Sequence, residues 1–309
     1  MMANLINLIL ILAIPWFCGS VVSSVVLHLK SNIQRRELLA KISSAAPVLL
    51  LGNADFAVAS ELEGRSNGLA AKLSKREASV LKNSVFNTPP SAQVFPTFLR
   101  GTWDVTTSFR GYAFPSTKIP KETLISKVEI PGFQKCSIAQ VCDVGLDQVR
   151  YTIKIDNVTG LEDRVENLQS SINAHLNYQA VQNVIYDAKS NPNRISIDFT
   201  KNKTRNAERI EIFCNARESE VVTGNDGKSI FVCSEYIRQV TFGYSQQFGV
   251  ARQVVGNYAH FWTWREGDGT SIRGNLLTAA YLDPQDPSFF GEPSKPVAVY
   301  SHDLLATMQ

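Results

Sequence analysis

Histidine, cysteine and charge are all scarce in this chain. Its 309 residues include four histidines, five cysteines and only 19% charged side chains. Beyond residue 59 the histidines are His175, His260 and His302. They lie far apart and carry no local signature of a nucleophile elbow, a zinc-protease helix or a phosphate-binding loop. The cysteines are not spaced as C-x-x-C, so no metal is expected. Neither sign of charge dominates, with 31 basic residues against 28 acidic. Taking away residues 1–59 removes Lys30, Arg35, Arg36, Lys41, Glu37 and Asp55, leaving 27 against 26. No basic stripe interleaved with aromatics is present, which argues against nucleic acid as a partner. The absence of a fixed-period repeat argues against a propeller or solenoid.

Residues 1–29 lack Lys (until Lys30), Arg, Asp and Glu altogether, and the run Leu5 to Leu29 is long enough to cross a bilayer as a helix. Arg35-Arg36 follow, then an apolar run from Ile42 to Leu51, then Ala57-Val58-Ala59. Paired arginines, a moderately apolar stretch and an A-x-A site, in that order, read as a twin-arginine export signal with the mature chain starting near Ser60. Two export signals in series imply delivery to an organelle and then to an inner compartment; the chloroplast thylakoid lumen fits. The product is membrane-anchored if residues 5–29 are retained. Residues 1–29 are not the Ser- and Arg-rich amphipathic segment of a plain transit peptide. They are either half of a bipartite address or the mark of a misplaced start.

Three regions result: targeting over 1–59, an N-terminal helix and linker over 60–94, and an all-β domain over 95–309. In the second, Leu69, Leu73, Val80 and Leu81 recur among charged residues and predict an amphipathic helix over 69–81, expected to be solvated and to cover one end of the domain. In the third, the positions from Gly101 to Arg110 alternate, with Trp103, Val105, Thr107 and Phe109 on one face. Alternation returns at Val149 to Ile155, and Arg164 to Leu176 has helical spacing. Turn residues mark three hairpins: Ser190 to Asn193 between 181–187 and 194–200, Gly224 to Gly227 between 209–215 and 229–244, and Glu266 to Gly269 between 250–265 and 271–283. A last strand covers 296–301. Eight to ten antiparallel strands with short helices predict an up-and-down, lipocalin-like barrel, since closure removes exposed edges. A sandwich is the alternative.

Gly101-Thr102-Trp103 has the G-x-W pattern with which lipocalin-like barrels begin, so Trp103 is expected to plug the closed end. A late arginine packs on such a ring, and Arg252 is the choice here. Tyr258, His260, Trp262 and Trp264 share one face of a strand and are candidate ligand-binding residues. They would equally fill a barrel that holds nothing. Arg238, on the face with Tyr236, Val240, Phe242 and Tyr244, reads as an inward charge awaiting a carboxylate or a ligand's acid group. Cys136, Cys142, Cys214 and Cys233 allow up to two disulfides in an oxidising lumen. Cys136 with Cys142 closes a small loop. Cys214 with Cys233 flank a hairpin, but a tight turn there puts them out of register.

The segments Phe95-Pro96-Thr97-Phe98-Leu99-Arg100-Gly101-Thr102-Trp103-Asp104-Val105, Gly111 to Pro115, Asn191 to Arg194, Arg238 to Val240, Gly256 to Tyr258 and Ala279 to Leu282 resemble an uncharacterised family of cyanobacteria, algae and plants. The blocks Pro131 to Cys136 and Phe213 to Glu218 resemble its long plastid form. The resemblance implies a plastid location and no activity, cofactor or site. The expected function is non-catalytic binding of a small hydrophobic ligand such as a lipid, pigment or quinone-like molecule, by a monomer. The alternatives are an assembly factor for a photosynthetic membrane complex, and a small isomerase or hydrolase with His260 or Tyr258 at a barrel mouth.

Overall fold

The computed structural model describes residues 68–309 except 76, 84–89, 135, 141–147, 205–206 and 248–249; side chains 244–247 and 250–252 also fall outside the description. The targeting region 1–59, Cys142 and the side chain of Arg252 therefore lie outside the described residues. Nine strands run antiparallel: β1 (Gly101–Ala113), β2 (Gln148–Ile155), β3 (Val181–Asp187), β4 (Asn191–Phe199), β5 (Arg209–Thr223), β6 (Ser229–Gln247), β7 (Val250–Arg265), β8 (Ser271–Tyr281) and β9 (Ala298–Met308). They form one sheet in the order β2-β1-β9-β8-β7-β6-β5-β4-β3. Every strand from β3 to β8 pairs with its successor, and β1 inserts between β9 and β2.

The sheet is not closed into a barrel, which corrects the expectation of hydrogen-bonded closure: β2 and β3 are both edges. Helix α3 (Arg164–Leu176) covers them instead. Among the described residues two shorter helices precede it, α1 (Leu69–Ser74) and α2 (Lys121–Ser126). α3 starts where Asp163 caps the Glu166 N–H and stops where Asn177 turns left-handed at φ 62°. Leu168, Ile172 and Leu176 recur at four-residue spacing and bury one stripe against the sheet. Its polar side chains then bond backbone that a tenth strand would have bonded. Ser170 Oγ accepts from the Thr152 N–H at 2.9 Å, and Asn167 both accepts from Lys154 N–H at 2.7 Å and donates to its carbonyl at 3.1 Å. Asn173 Oδ1 accepts from Ala180 and Val181 at 2.8 and 3.0 Å. A buried edge needs partners for its backbone groups, and side-chain amides supply them.

The sheet buries both faces. The inner one, with α3 and the 114–140 connection, holds the main core, including Trp103, Phe231, Tyr258, Leu276 and Tyr300. The outer one carries Val222, Ile230, Val232, Phe261, Ala279 and Val299 under residues 69–81. That segment is not the single helix expected over 69–81. α1 ends at Ser74 and a 3-10 turn follows at Ala78–Val80. It lies on the outer sheet face because that face is apolar and because two tyrosines hold its backbone. Tyr281 donates to the Leu81 carbonyl at 2.7 Å and Tyr236 to that of Lys82 at 2.9 Å.

Turn chemistry fixes the hairpins. Between β3 and β4 the reversal is at 188–190, just ahead of the expected Ser190 to Asn193, because Asp187 accepts from the Lys189 and Ser190 N–H groups at 2.8 and 3.0 Å. β5 runs on to Thr223 and β9 to Met308, both beyond the expected ends, each paired along the added length.

If α3 seals β2 through Asn167, then Asn167→Ala takes the partner from two part-buried backbone groups, the Lys154 N–H and carbonyl. We expect a stability loss of about 1–3 kcal/mol by urea titration and faster amide exchange at Lys154 than at Thr102, its cross-strand partner on the inner neighbour β1.

Candidate functional site

Strand parity decides which side chains meet inside. On β7 the ring stripe is placed on the inner face: Tyr258, His260 and Trp264 are buried and Trp262 half-buried. The rings of Tyr258 and His260 lie 5.1 Å apart, and those of His260 and Trp262 4.9 Å. The stripe divides into two ends. At one, Tyr258 donates to Gln239 Oε1 at 2.8 Å, and Gln239 in turn bonds the Ala139 N–H at 3.1 Å and the Cys136 carbonyl at 2.8 Å. Tyr300 donates to the Pro131 carbonyl at 2.6 Å. The 130–139 loop thus closes that end, and both hydroxyls serve it.

At the other end lies a cavity of about 60 Å³, walled by Trp103, Trp262, Trp264, Phe95, Leu99 and Ile153, with Arg164, Glu162, Glu235, Gln93 and Cys233 among its other lining residues. Three of the chain's four tryptophans are here. Trp103 is part of the cavity wall, and its indole N–H donates to the Leu99 carbonyl at 2.9 Å. Trp264 lies flat because its cross-strand partner is Gly274, where a Cβ would come within 2.5 Å of the indole.

A buried ion ladder borders this cavity. Glu235 on β6 pairs with Arg217 of β5 at 2.7 Å and with Arg164, the first residue of α3; Arg164 also pairs with Glu162 at 3.4 Å. The Arg164 guanidinium lies 5.7 Å from the centre of the Tyr186 ring. Burial by itself would raise the Glu235 carboxyl, but the two guanidinium groups outweigh it and hold it down at about 2. Burial likewise opposes the Arg164 charge, and Glu235 and Glu162 outweigh it, so its pKa is raised. All four side chains are under 10% exposed. Arg217 keeps one buried N–H group, at Nη2, without a partner.

Arg238, by contrast, faces out and pairs with Asp283 at 3.4 Å with 41% of its side chain exposed, which corrects its reading as an inward charge. The inner face of β6 is the odd one: Phe231, Cys233, Glu235, Ile237 and Gln239. Cys136, Cys214 and Cys233 are free thiols. Cys214 stands opposite Ile237 and Cys233 opposite Ser219, so a bond between them, one of the pairings allowed by the sequence, is not formed. Burial pushes the Cys233 thiol well above its usual value, which leaves no thiolate for nucleophilic work. His260 bonds Thr278 Oγ1 at 2.9 Å through Nδ1, and its Nε2 has no partner. Among the described residues neither inner histidine, His260 or His302, is bonded to a carboxylate. Among the described residues no cluster of His, Cys, Asp and Glu could hold a metal, and no helix is long and apolar enough to cross a membrane.

The geometry defines a class: an all-β protein whose open antiparallel sheet is sealed by one helix around an aromatic-walled cavity and a buried ion ladder. The chain belongs to the family described as domain of unknown function DUF6816, whose model matches residues 88–305. No curated protein and no solved structure matches the chain.

The inner histidines make the fold acid-sensitive. Burial lowers both His260 and His302 to about 3, the latter helped by the neighbouring His175 and His260. An unfolded histidine takes its proton near pH 6.5. The folded form refuses that proton, so the full stability is present above about pH 6.5 and is lost as pH falls toward 3. Each histidine contributes a slope of up to about 1.4 kcal/mol per pH unit. His302→Leu should remove about half of the combined slope in urea titrations between about pH 7 and pH 5; a slope unchanged from the parent protein would exclude the imidazole as its source.

Proposed function

We propose that this protein is a non-catalytic, lipocalin-like container that binds a small, largely apolar molecule, or the end of a longer one, at the tryptophan-walled cavity. The observation that carries this reading is the wall itself. Trp103, Trp262 and Trp264 converge from β1 and β7 on space they do not fill, beside a few fixed polar groups. The volume of about 60 Å³ holds about four or five water-sized groups, which suits the end of a lipid, pigment or quinone-like molecule better than its whole body. The setting we propose is the thylakoid lumen, on the strength of the paired-arginine and A-x-A segments read from the sequence.

Ala306 on β9 lies in the same wall and is buried. Ala306→Leu would occupy the space without adding charge. Adding thylakoid lipid extract to the parent chain should shift tryptophan emission, and native mass spectrometry should name the bound species. The leucine variant, folded by circular dichroism, should lose both signals; retention of both would place binding elsewhere.

A second reading, an assembly factor acting through its surface on a photosynthetic membrane complex, is favoured by one specific feature. Phe290, in the loop between β8 and β9, is 84% exposed. Comigration with such a complex on native gels, lost in Phe290→Ser, supports it.

A further inference from the structure

The cavity's charged border has a property that bears on what can enter it. Four ionised side chains meet there, Arg164 and Arg217 against Glu162 and Glu235, and each is paired inside the group. Their charges sum to zero. The other polar side chains in the wall, Gln93 and Gln140, are uncharged. Among the described residues, then, nothing at the cavity offers an unmatched charge to an incoming ion. A buried ion is tolerated only with a partner, and here every partner is already taken. Bringing in a carboxylate would leave the group one negative charge in excess; an ammonium would leave it one positive charge in excess.

The charged border keeps hydrogen-bond donors to spare. Arg164 reaches its carboxylate partners through Nε and Nη2, while a guanidinium carries five N–H donors. Arg164 itself lines the cavity. Glu235 Oε1 and Glu162 Oε2 accept from guanidinium groups and Glu162 Oε1 from the Asn167 amide, while Arg164 keeps N–H donors beyond the two it spends on them. We propose that the group inserted into this cavity is uncharged and presents a hydrogen-bond acceptor, such as a ketone, quinone or ester carbonyl. This rests on the binding reading above and narrows it, since free acids and amines are excluded as the inserted end.

The test uses probes small enough to lie wholly within the cavity, so that a charged end cannot stay in water. Butan-2-one, propanoate and propylammonium are matched in size and differ in charge. Each is titrated into the full chain at neutral pH, and the indole N–H resonances of Trp103, Trp262 and Trp264 are followed by NMR. Butan-2-one should shift them saturably, with propanoate and propylammonium at least about tenfold weaker. Propanoate or propylammonium matching or exceeding the ketone would overturn the inference while leaving a binding site in place. Silence from all three would overturn it together with the binding reading. A charge change supplies an independent check. Glu162→Gln leaves the group with one excess positive charge and should raise propanoate affinity by at least about tenfold relative to butan-2-one. If Glu162→Gln does not fold, Arg164→Gln should do the same for propylammonium, and the parent titration decides the question without either variant.

Discussion

The contact between Arg164 and Glu235 joins the two parts of this fold that the backbone leaves separate. β6 sits within the sheet, while α3 lies across the opening between the edge strands β2 and β3. Among the described residues no backbone hydrogen bond joins β2 to β3 across that opening. α3 instead binds each edge through amide and hydroxyl side chains, and it reaches the far wall through Arg164. One buried carboxylate therefore holds β5, β6 and the helix together, because Arg217 comes from β5. A buried ion pair gives little net stability over an apolar substitute, yet losing one partner strands the others at a cost of about 3–5 kcal/mol. What the ladder supplies is a single allowed position for α3, and with it a defined cavity.

That position also explains how the interior is shared. The end near Tyr258 and Tyr300 is closed by the 130–139 loop: its Pro131 carbonyl accepts from Tyr300, and its Cys136 carbonyl from Gln239, which in turn accepts from Tyr258. Gly132 makes the close approach possible: its φ is 108°, and a Cβ there would meet the Tyr300 ring at 2.3 Å. At the end near Trp103 the segment holding Gln93, Phe95 and Leu99 lines the wall without filling it, and there the space persists. The same row of rings is thus packed at one end and borders open space at the other.

Much of the sheet was legible because its signals are local. Helical spacing over Arg164 to Leu176 marks α3, and alternation marks β1, β2 and β7. The inner face of β6 was not legible by the same means. Its even positions, Tyr236 and Phe242 among them, look like a core face, yet Tyr236 packs with the outer cluster beneath residues 69–81. A strand buried on both sides loses the alternation that reports its inside. Glu235 does share parity with Phe231, Cys233 and Ile237, and that signal could have singled it out as the inward charge in place of Arg238.

Its partners carried no signal at all. Arg217 lies in the run Arg217-Glu218-Ser219-Glu220, which reads as a solvated loop and is in fact the second half of β5. Its charges are not spent on water alone: Arg217 goes inward to Glu235, Glu218 pairs with Lys72, and Glu220 accepts from the Ala70 N–H. One polar run therefore fastens the sheet interior on one side and the N-terminal segment on the other. Barrel closure failed as an expectation for a related reason. The edge rule holds, since neither β2 nor the start of β3 is left bare, but what satisfies it is a set of helix side chains. Ser170, Asn167 and Asn173 look on a helix like ordinary polar surface, and only the fold shows that they stand where a strand's backbone would.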